Sequence, residues 1–246
     1  MFKKIACLFS AVLIATTGSI NYAEATINKT DKKVIDVPYF NQNNIASGCE
    51  AVSATMILRY LGYNITPKRF VDKYLIKKKL KILKNGKIYG PDPGSAYVGN
   101  PYISGGRNCG FGCYARCMSK CLNNYLKDDS IYETKPLTNT SLDYLIKNYI
   151  DKGYPVLLWA TIGMISSKPT ISWIIDYSDD GKKINKRFTW LANEHCLVLV
   201  GYDKEGYYFN DPYMNNGLKK YKKDVVEKRF KEMGKQAVVI EDVSYS

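Results

Sequence analysis

The chain has 246 residues, of which 46% are hydrophobic, and its length suits one domain with a substantial core once an N-terminal segment is set aside. Its formal net charge of +13 favours association with anionic surfaces such as cell-envelope polymers or lipid headgroups. The lysines are scattered, and no zinc finger, arginine-rich arm or RNA-binding motif is present, which argues against a nucleic-acid-binding protein.

Residues 1–25 have the three-part organisation of a secretory signal peptide. Two lysines precede an apolar run that begins at Ile5, and Ala23 and Ala25 supply small residues at the two positions that a signal peptidase reads. The apolar run is shorter than the roughly 20 residues that a membrane span needs. We expect cleavage after Ala25 and a bacterial protein that is secreted or held at the cell envelope, with no transmembrane span. An uncleaved N-terminal anchor is the alternative.

After a flexible polar lead-in at 26–33, the sequence predicts one domain over 34–246. Helical spacing and cap signals predict helices from Cys49 to a C-cap at Gly62, from a Thr66 cap to about Tyr74, from about Tyr114 to Leu126, from Ser141 to Lys152, and over Asp224–Met233. Strands are predicted at Val34–Phe40, Pro155–Thr161, Ile171–Tyr177, Lys186–Leu191, His195–Tyr202, Tyr207–Asn210 and Gln236–Glu241, and a long loop at Pro91–Gly112. Helices followed by an antiparallel sheet indicate an α+β fold.

Cys49 follows a polar loop and opens the first predicted helix. A thiol at this place lies at the positive end of the helix dipole and beside free backbone N–H groups, which favour the reactive thiolate and can bind an oxyanion. Gly48 allows a tight turn and leaves room for a substrate. A buried, inert structural cysteine is the alternative for this segment taken alone.

His195 is the only histidine, and it heads the apolar strand HCLVLVGYD. A residue at a strand end lies at the rim of the sheet, where it can face a cleft. Together with a helix-opening cysteine, this position makes His195 the candidate base; a structural histidine is the alternative. Glu194 is adjacent in sequence but tends to point to the other face, and Cys196 is expected to pack in the core.

A histidine base needs a third group that holds its ring and tautomer. Asp211 ends the next strand of an apparent hairpin, so the hairpin returns it beside His195. Asn210 and Asp203 are competitors, and the alternation of side chains along a strand lets only one of Asn210 and Asp211 face the histidine. Pro212 stiffens the strand end and favours Asp211.

Gln42 lies seven residues before Cys49. Its side-chain amide is a candidate for the second oxyanion donor beside the Cys49 N–H. Asn41, Asn43 and Asn44 are nearby and chemically similar.

The segments VPYFNQ, SGCEAVSATMILRYLGY, EHCLVLVGYD and FNDPY resemble the papain-like peptidase domain of bacteriocin-exporting transporters. They resemble most closely its stand-alone secreted bacterial relatives, the bacteriocin-processing-peptidase-like family. The resemblance is discontinuous and covers about Val37–Tyr74, parts of Tyr97–Tyr114, and Gly153–Tyr213. Transporter-linked members cut leader peptides after paired glycines, but this chain has no transporter domains, so the resemblance does not imply that substrate.

The resemblance implies a papain-like fold, with the active site in a cleft between a helical half and a sheet half. It also implies Cys49 as nucleophile, His195 as base, Asp211 as orienting residue and Gln42 in the oxyanion hole. The expected function is a secreted thiol protease that hydrolyses peptide bonds through a thioester, without a cofactor or metal. A thiol-dependent acyltransferase or cell-wall amidase on the same fold, and a non-catalytic secreted binding module, are the alternatives.

Four cysteines, Cys109, Cys113, Cys117 and Cys121, are spaced by four residues and would form one stripe on a continuous helix. Four thiolates suit zinc or monovalent copper, but one helix does not easily wrap four ligands around a single ion. Disulfides, or buried small residues that pack on the core, are the favoured interpretations.

The signal-peptide assignment predicts that the exported protein begins at Thr26. Mass spectrometry of the protein from the medium and from the envelope fraction should find this N-terminal peptide in the wild type. Ala25→Leu should block processing, because the peptidase reads a small residue there. An N-terminus at Met1 in the exported wild-type protein would instead favour the uncleaved anchor.

Overall fold

The computed structural model describes residues 32–105, 109–129, 131–177, 182–213, 215 and 217–244. The predicted signal peptide and nearly all of the predicted lead-in lie outside these residues. Within the described part of the chain, none of the helices has both the length and the apolar character needed to cross a bilayer.

Five α-helices and thirteen strands, numbered in chain order, form the described structure. The helices are α1 (Cys49–Tyr60), α2 (Pro67–Lys73), α3 (Ala115–Leu126), α4 (Leu142–Asn148) and α5 (Lys223–Glu232). The strands are β1 (Lys32–Val34), β2 (Lys77–Lys78), β3 (Lys81–Ile82), β4 (Ile88–Tyr89), β5 (Tyr97–Val98), β6 (Tyr132–Leu137), β7 (Val156–Thr161), β8 (Pro169–Tyr177), β9 (Lys183–Leu191), β10 (Glu194–Asp203), β11 (Gly206–Asn210), β12 (Leu218–Lys222) and β13 (Ala237–Asp242).

A seven-stranded antiparallel sheet forms the main layer, in the order β12-β11-β10-β7-β13-β6, with β1 also paired to β10. Strand β10 pairs with β7 over Glu194–Leu199 and with β11 over Val198–Tyr202. It therefore lies inside the sheet, and its first eight residues are buried. The predicted α+β layout is confirmed.

Helix α1 is buried from Cys49 to Leu58, with little amphipathic character, because it runs through the interior against the main sheet. It contacts β10 directly: the buried Ser53 hydroxyl donates a 3.0 Å hydrogen bond to the carbonyl oxygen of Cys196. The helix that begins at the candidate nucleophile is thus tied to the strand that begins beside the candidate base.

A second, four-stranded sheet has the order β3-β4-β8-β9. It carries a separate aromatic cluster in which Trp173 and Trp190 stack at 6.2 Å and Phe111 packs against both. Strand β9 leads into β10 through a turn at Asn193, which has a φ of 61°. Asparagine tolerates this left-handed conformation. The turn places the start of β10 at the edge of the aromatic cluster.

All five predicted helices are present, but some predicted bounds were wrong. Residues 35–40 form no strand, since Pro38 lacks a donor and the chain leaves the sheet there. The helix predicted for Ser141–Lys152 ends at Asn148, followed by a 3₁₀ turn at Ile150–Lys152. Strands β6 and β12 were missed because their sequences, YETKPL and LKKYK, look like charged surface segments.

We expect Leu158→Ala to lower the free energy of unfolding by about 2–5 kcal/mol, since it removes a buried side chain between two strands. Leu158 is fully buried and pairs with Leu197 on β10 and Ala237 on β13. Leu218→Ala is the matched control, because Leu218 is 46% exposed on β12. Its expected loss is within about 0.5 kcal/mol. Urea unfolding of both variants tests the difference; equal losses would contradict this account of the core.

Candidate active site

Cys49 is the first residue of α1 and is 6% exposed. The preceding Gly48 is the N-cap and has no side chain with which to cap the first backbone N–H groups. A Cβ on Gly48 would lie 2.3 Å from Cγ2 of Ile45. Close packing of the loop therefore requires glycine at this position, and it is this loop that delivers the thiol to the helix start.

His195 is 1% exposed near the start of β10, and its Nε2 lies 2.7 Å from Oδ1 of the fully buried Asp211. Tyr213 packs edge-on against the imidazole, with ring centroids 6.2 Å apart. The β10–β11 hairpin does return Asp211 to His195, as its sequence predicted. Because Nε2 is engaged by the carboxylate, Nδ1 is the ring nitrogen left for another partner.

The Asp211 carboxylate also accepts hydrogen bonds from the Tyr213 backbone N–H (3.0 Å) and the Tyr221 hydroxyl (3.1 Å). Burial acts to raise the pKa of Asp211, but the hydrogen bond and charge of His195 outweigh it, so the pKa lies below its ordinary value. Asp211 is therefore a well-held carboxylate beside the imidazole.

The two competitors for Asp211 have other partners. The Asn210 amide donates a 2.8 Å hydrogen bond to the carbonyl oxygen of Val37. Asp203 accepts from the Tyr208 hydroxyl and forms an ion pair with Lys220 at the hairpin turn. Of the three candidates, the structure brings Asp211 to the histidine.

Gln42 is 8% exposed, and its backbone N–H bonds to the carbonyl oxygen of Pro212, which ties its loop to the turn after Asp211. Its side-chain Nε2 donates one hydrogen bond, to the carbonyl oxygen of Ala46 at 3.2 Å. An amide nitrogen carries two hydrogens, so a second donor remains. Asn41 and Asn44 line a different, 650 Å³ cavity on the other side of this loop.

A cavity of about 190 Å³ joins the site, and Gln42, Cys49, His195, Glu194 and Trp190 are among the residues that line it. The sequence therefore identified three residues, Cys49, His195 and Gln42, that meet at one opening. Asp211 holds the imidazole of His195.

The thiol of Cys49 has neighbours that the sequence did not reveal. Its Sγ donates to Oε2 of Glu50 at 3.4 Å, and a hydrogen bond from the backbone of Cys196 also reaches it. Burial, with the charges of Glu50 and Glu194, raises the pKa of Cys49 well above its ordinary value. The helix N-terminus alone predicted a stabilised thiolate, and burial together with the two carboxyl groups opposes that effect.

Glu50 and Glu194 form a buried carboxyl pair at the site. Burial raises the pKa of Glu50 to about 7, and burial and the charge of Glu50 raise that of Glu194 well above its ordinary value. Oε1 of Glu50 accepts a 2.6 Å hydrogen bond from the Cys113 backbone N–H. Among the described residues, the one group of potential metal ligands with mutually close atoms is Cys49, Glu50 and Glu194.

The predicted cysteine stripe is only partly helical. Cys117 and Cys121 lie in α3, whereas Cys109 and Cys113 precede it. All four are free thiols, and all except Cys109 are buried. The three buried ones pack as small core residues, with Cys117 in thiol contact with Cys113 and Cys121. The favoured interpretation of core packing fits these contacts, and these cysteines form no disulfides.

The chain and its fold are similar to known proteins. The model of the Peptidase_C39 like family matches residues 34–238. The uncharacterized protein YvpB of Bacillus subtilis (strain 168) is 29% identical over 218 residues, covering 87% of this chain and 78% of YvpB. The crystal structure of a candidate C39-like peptidase from Bacillus anthracis is 26% identical, covers 87% of this chain and 98% of its own, and superposes with a TM-score of 0.69. A double-glycine motif protease from an AMS/PCAT transporter, solved with its leader peptide, is 15% identical over 86% of this chain and 95% of its own, with a TM-score of 0.43. The fold is papain-like, as the sequence predicted.

The lowered pKa of Asp211 predicts a pH-dependent contribution to stability. Because its folded-state pKa lies below that of the unfolded chain, about 3.9, the carboxylate stabilises the fold above that pH. This contribution is lost as the pH falls through the folded-state value. Asp211→Asn should therefore be less stable than wild type at pH 6, by a margin that shrinks below about pH 4. Urea unfolding across this range measures the margin, and a gap that does not change with pH would contradict the assignment.

Proposed function

The chain belongs to the Peptidase_C39 like family, and on that premise we propose that it is a secreted cysteine peptidase that hydrolyses peptide bonds through a thioester on Cys49. The observation that carries the proposal is the 2.7 Å hydrogen bond between His195 and Asp211 at a cavity that Cys49 also lines. Nucleophile, base and orienting group are the parts that thiol-based acyl transfer needs.

In this proposal Nδ1 of His195 receives the thiol proton as the sulfur of Cys49 attacks the substrate carbonyl carbon. Asp211 holds Nε2 and stabilises the imidazolium that forms. The imidazolium then protonates the leaving amine as the C–N bond breaks, which leaves an acyl group on sulfur. A water molecule, deprotonated by the same imidazole, attacks the thioester, and the carboxylic product leaves as the thiol is restored.

The oxyanion of each tetrahedral intermediate would be bound by the backbone N–H of Cys49 and by Gln42. Preorganised donors of this kind act strongly in a buried site because they need no reorganisation during the reaction. The hydrogen bond from Gln42 to Ala46 fixes the amide and leaves its second N–H for the substrate.

In this proposal, proton transfer from Cys49 to His195 accompanies the attack of the sulfur on the substrate. Burial and the neighbouring carboxyl groups disfavour a free thiolate at Cys49. A substrate that fills the cavity and offers its carbonyl to the uncapped helix N-terminus supplies the driving force for charge separation.

Anionic cell-envelope polymers are the partner that we propose outside the cleft. One group of exposed basic residues lies on the strands and turns of the four-stranded sheet: Lys81, Lys84, Lys87, Lys183, Lys186 and Arg187. Such a cluster attracts polyanions and would retain a secreted peptidase near its substrates.

We expect iodoacetamide to label Cys49 of the mature wild-type protein at neutral pH in mild reductant much faster than Cys49 of His195→Ala. The imidazole accepts the thiol proton, so its loss removes the reactive pair. Peptide mass mapping follows the label, and the buried Cys117 serves as an internal reference. In a peptide-library screen, His195→Ala should reduce hydrolysis by at least about 100-fold, and Cys49→Ala should abolish it.

Asp211→Ala and Asn210→Ala form a matched pair, because both residues are buried at the same strand end. Hydrolysis should fall with Asp211→Ala and persist with Asn210→Ala in variants of comparable thermal stability. Slow labelling of Cys49 that His195→Ala leaves unchanged would favour a non-catalytic binding module. Aminolysis products in place of hydrolysis products would indicate an acyltransferase.

A further inference from the structure

Three potential metal ligands converge beside the candidate nucleophile. Sγ of Cys49 and carboxylate oxygens of Glu50 and Glu194 all lie within 4.8 Å of one another, and the distance from Sγ to Oε2 of Glu50 is 3.4 Å. None of the three residues is more than 7% exposed. Cys49 and Glu194 line the 190 Å³ cavity, so a small ion has a route to the cluster.

In the described part of the chain, neither carboxyl group of this cluster forms an ion pair with a cationic side chain. Among the described residues, Oε1 of Glu194 is buried without a hydrogen-bond partner. Buried carboxylates are normally paired or coordinate metals, because an isolated buried charge is costly. A side-chain hydrogen bond from Trp159 also reaches the Glu194 carboxyl group. The buried oxygen that still has no partner favours a bound cation at this point.

A glycine keeps space open next to both carboxyl groups. A Cβ on Gly112 would lie 2.6 Å from Oε1 of Glu50 and 2.7 Å from Oε2 of Glu194. Gly112 also has a φ of 143°, which L side chains rarely adopt. The backbone at Gly112 thus permits both carboxylates to approach the same point.

The ligand set and its spacing suit zinc. Zinc binds thiolate at about 2.3 Å and carboxylate oxygen at about 2.0–2.2 Å in tetrahedral geometry, which places neighbouring ligand atoms roughly 3.3–3.6 Å apart. The pair formed by Cys49 and Glu50 already has this separation. A thiolate among the ligands disfavours magnesium and calcium, which prefer oxygen alone.

We propose that Cys49, Glu50 and Glu194 bind one zinc ion, which blocks the peptidase reversibly by occupying its nucleophile. A water molecule from the cavity would supply the fourth ligand of a tetrahedral site. On binding, the Zn–S bond forms as the thiol proton is released to solvent, and any proton on the two carboxyl groups leaves as well. The inhibitory meaning rests on the proposed function, whereas the binding itself does not.

His195 is not a ligand in the proposed site. The site therefore differs from one in which zinc is bound by the nucleophile and its base together. His195 is held by Asp211 through Nε2. His195→Ala removes the imidazole and leaves all three proposed ligands in place, so it is the matched control for Glu194→Gln.

The test uses the mature protein, stripped of metal with a chelator and titrated with zinc chloride against a fluorescent zinc indicator. We expect one zinc per chain in wild type and in His195→Ala, with dissociation constants within about threefold of each other. Glu194→Gln should raise the dissociation constant by at least about tenfold, since even residues that only support metal ligands account for about 10–100-fold in affinity. Zinc should also slow the alkylation of Cys49 by iodoacetamide in wild type.

Cobalt(II) provides a readout that does not depend on glutamate variants that fold. Wild type with bound cobalt should show the near-ultraviolet charge-transfer band of a cobalt–thiolate bond, and Cys49→Ser should lack it. Cys117→Ser controls for the other buried thiols and should keep both the band and the zinc affinity.

Three results would each overturn the proposal. They are the absence of stoichiometric zinc binding in wild type, a loss of affinity in His195→Ala with none in folded Glu194→Gln, and a cobalt–thiolate band that survives Cys49→Ser. Peptide hydrolysis without zinc binding would contradict the zinc site and support the peptidase. Zinc binding without any hydrolysis would support the zinc site and contradict the peptidase.

Discussion

The packing of α1 on β10 is the constraint on which the site depends. Ser53 lies about one turn along the helix from Cys49, and its bond to the carbonyl oxygen of Cys196 reaches the residue directly after His195. The thiol and the imidazole therefore belong to two elements, α1 and β10, that are hydrogen-bonded to each other close to the site. The bond lies one helical turn from Cys49 and one residue from His195. Both elements are buried, so this geometry is maintained by the core of the domain rather than by a surface loop.

Electrostatics divide the site into two parts with opposite tendencies. On the side of Asp211, several hydrogen bonds stabilise a carboxylate, which in turn holds the imidazole in one orientation. On the side of Glu50 and Glu194, burial disfavours charge and raises the pKa of both carboxyl groups and of the Cys49 thiol. A reaction whose transition state is stabilised by both parts of the site is bound more tightly in that state than in the ground state. This difference is the basis of catalysis by differential binding.

The sequence predicted the site residues that have local signals and missed those that meet only in three dimensions. Cys49 and His195 stand at element ends. The return of a short hairpin, its side-chain alternation and Pro212 together favoured Asp211 over Asn210 as the partner of His195. Glu50 carried no such signal, because an acidic residue in a first helical turn is usually a solvated partner of the helix dipole. Its burial follows from the packing of α1 against the main sheet and from the bond to Cys113, neither of which a local pattern encodes.

The buried carboxyl pair requires either protons or a cation to limit its negative charge. A buried Glu50 and Glu194 without a cation must hold protons to avoid the free-energy penalty of two adjacent charges. Protons achieve this near neutral pH only because burial raises both pKa values. A divalent ion would neutralise the same two groups and the thiolate together, so the carboxyl pair that disfavours a free thiolate would favour a metal-bound one. Regulation and catalysis would then compete for one sulfur atom.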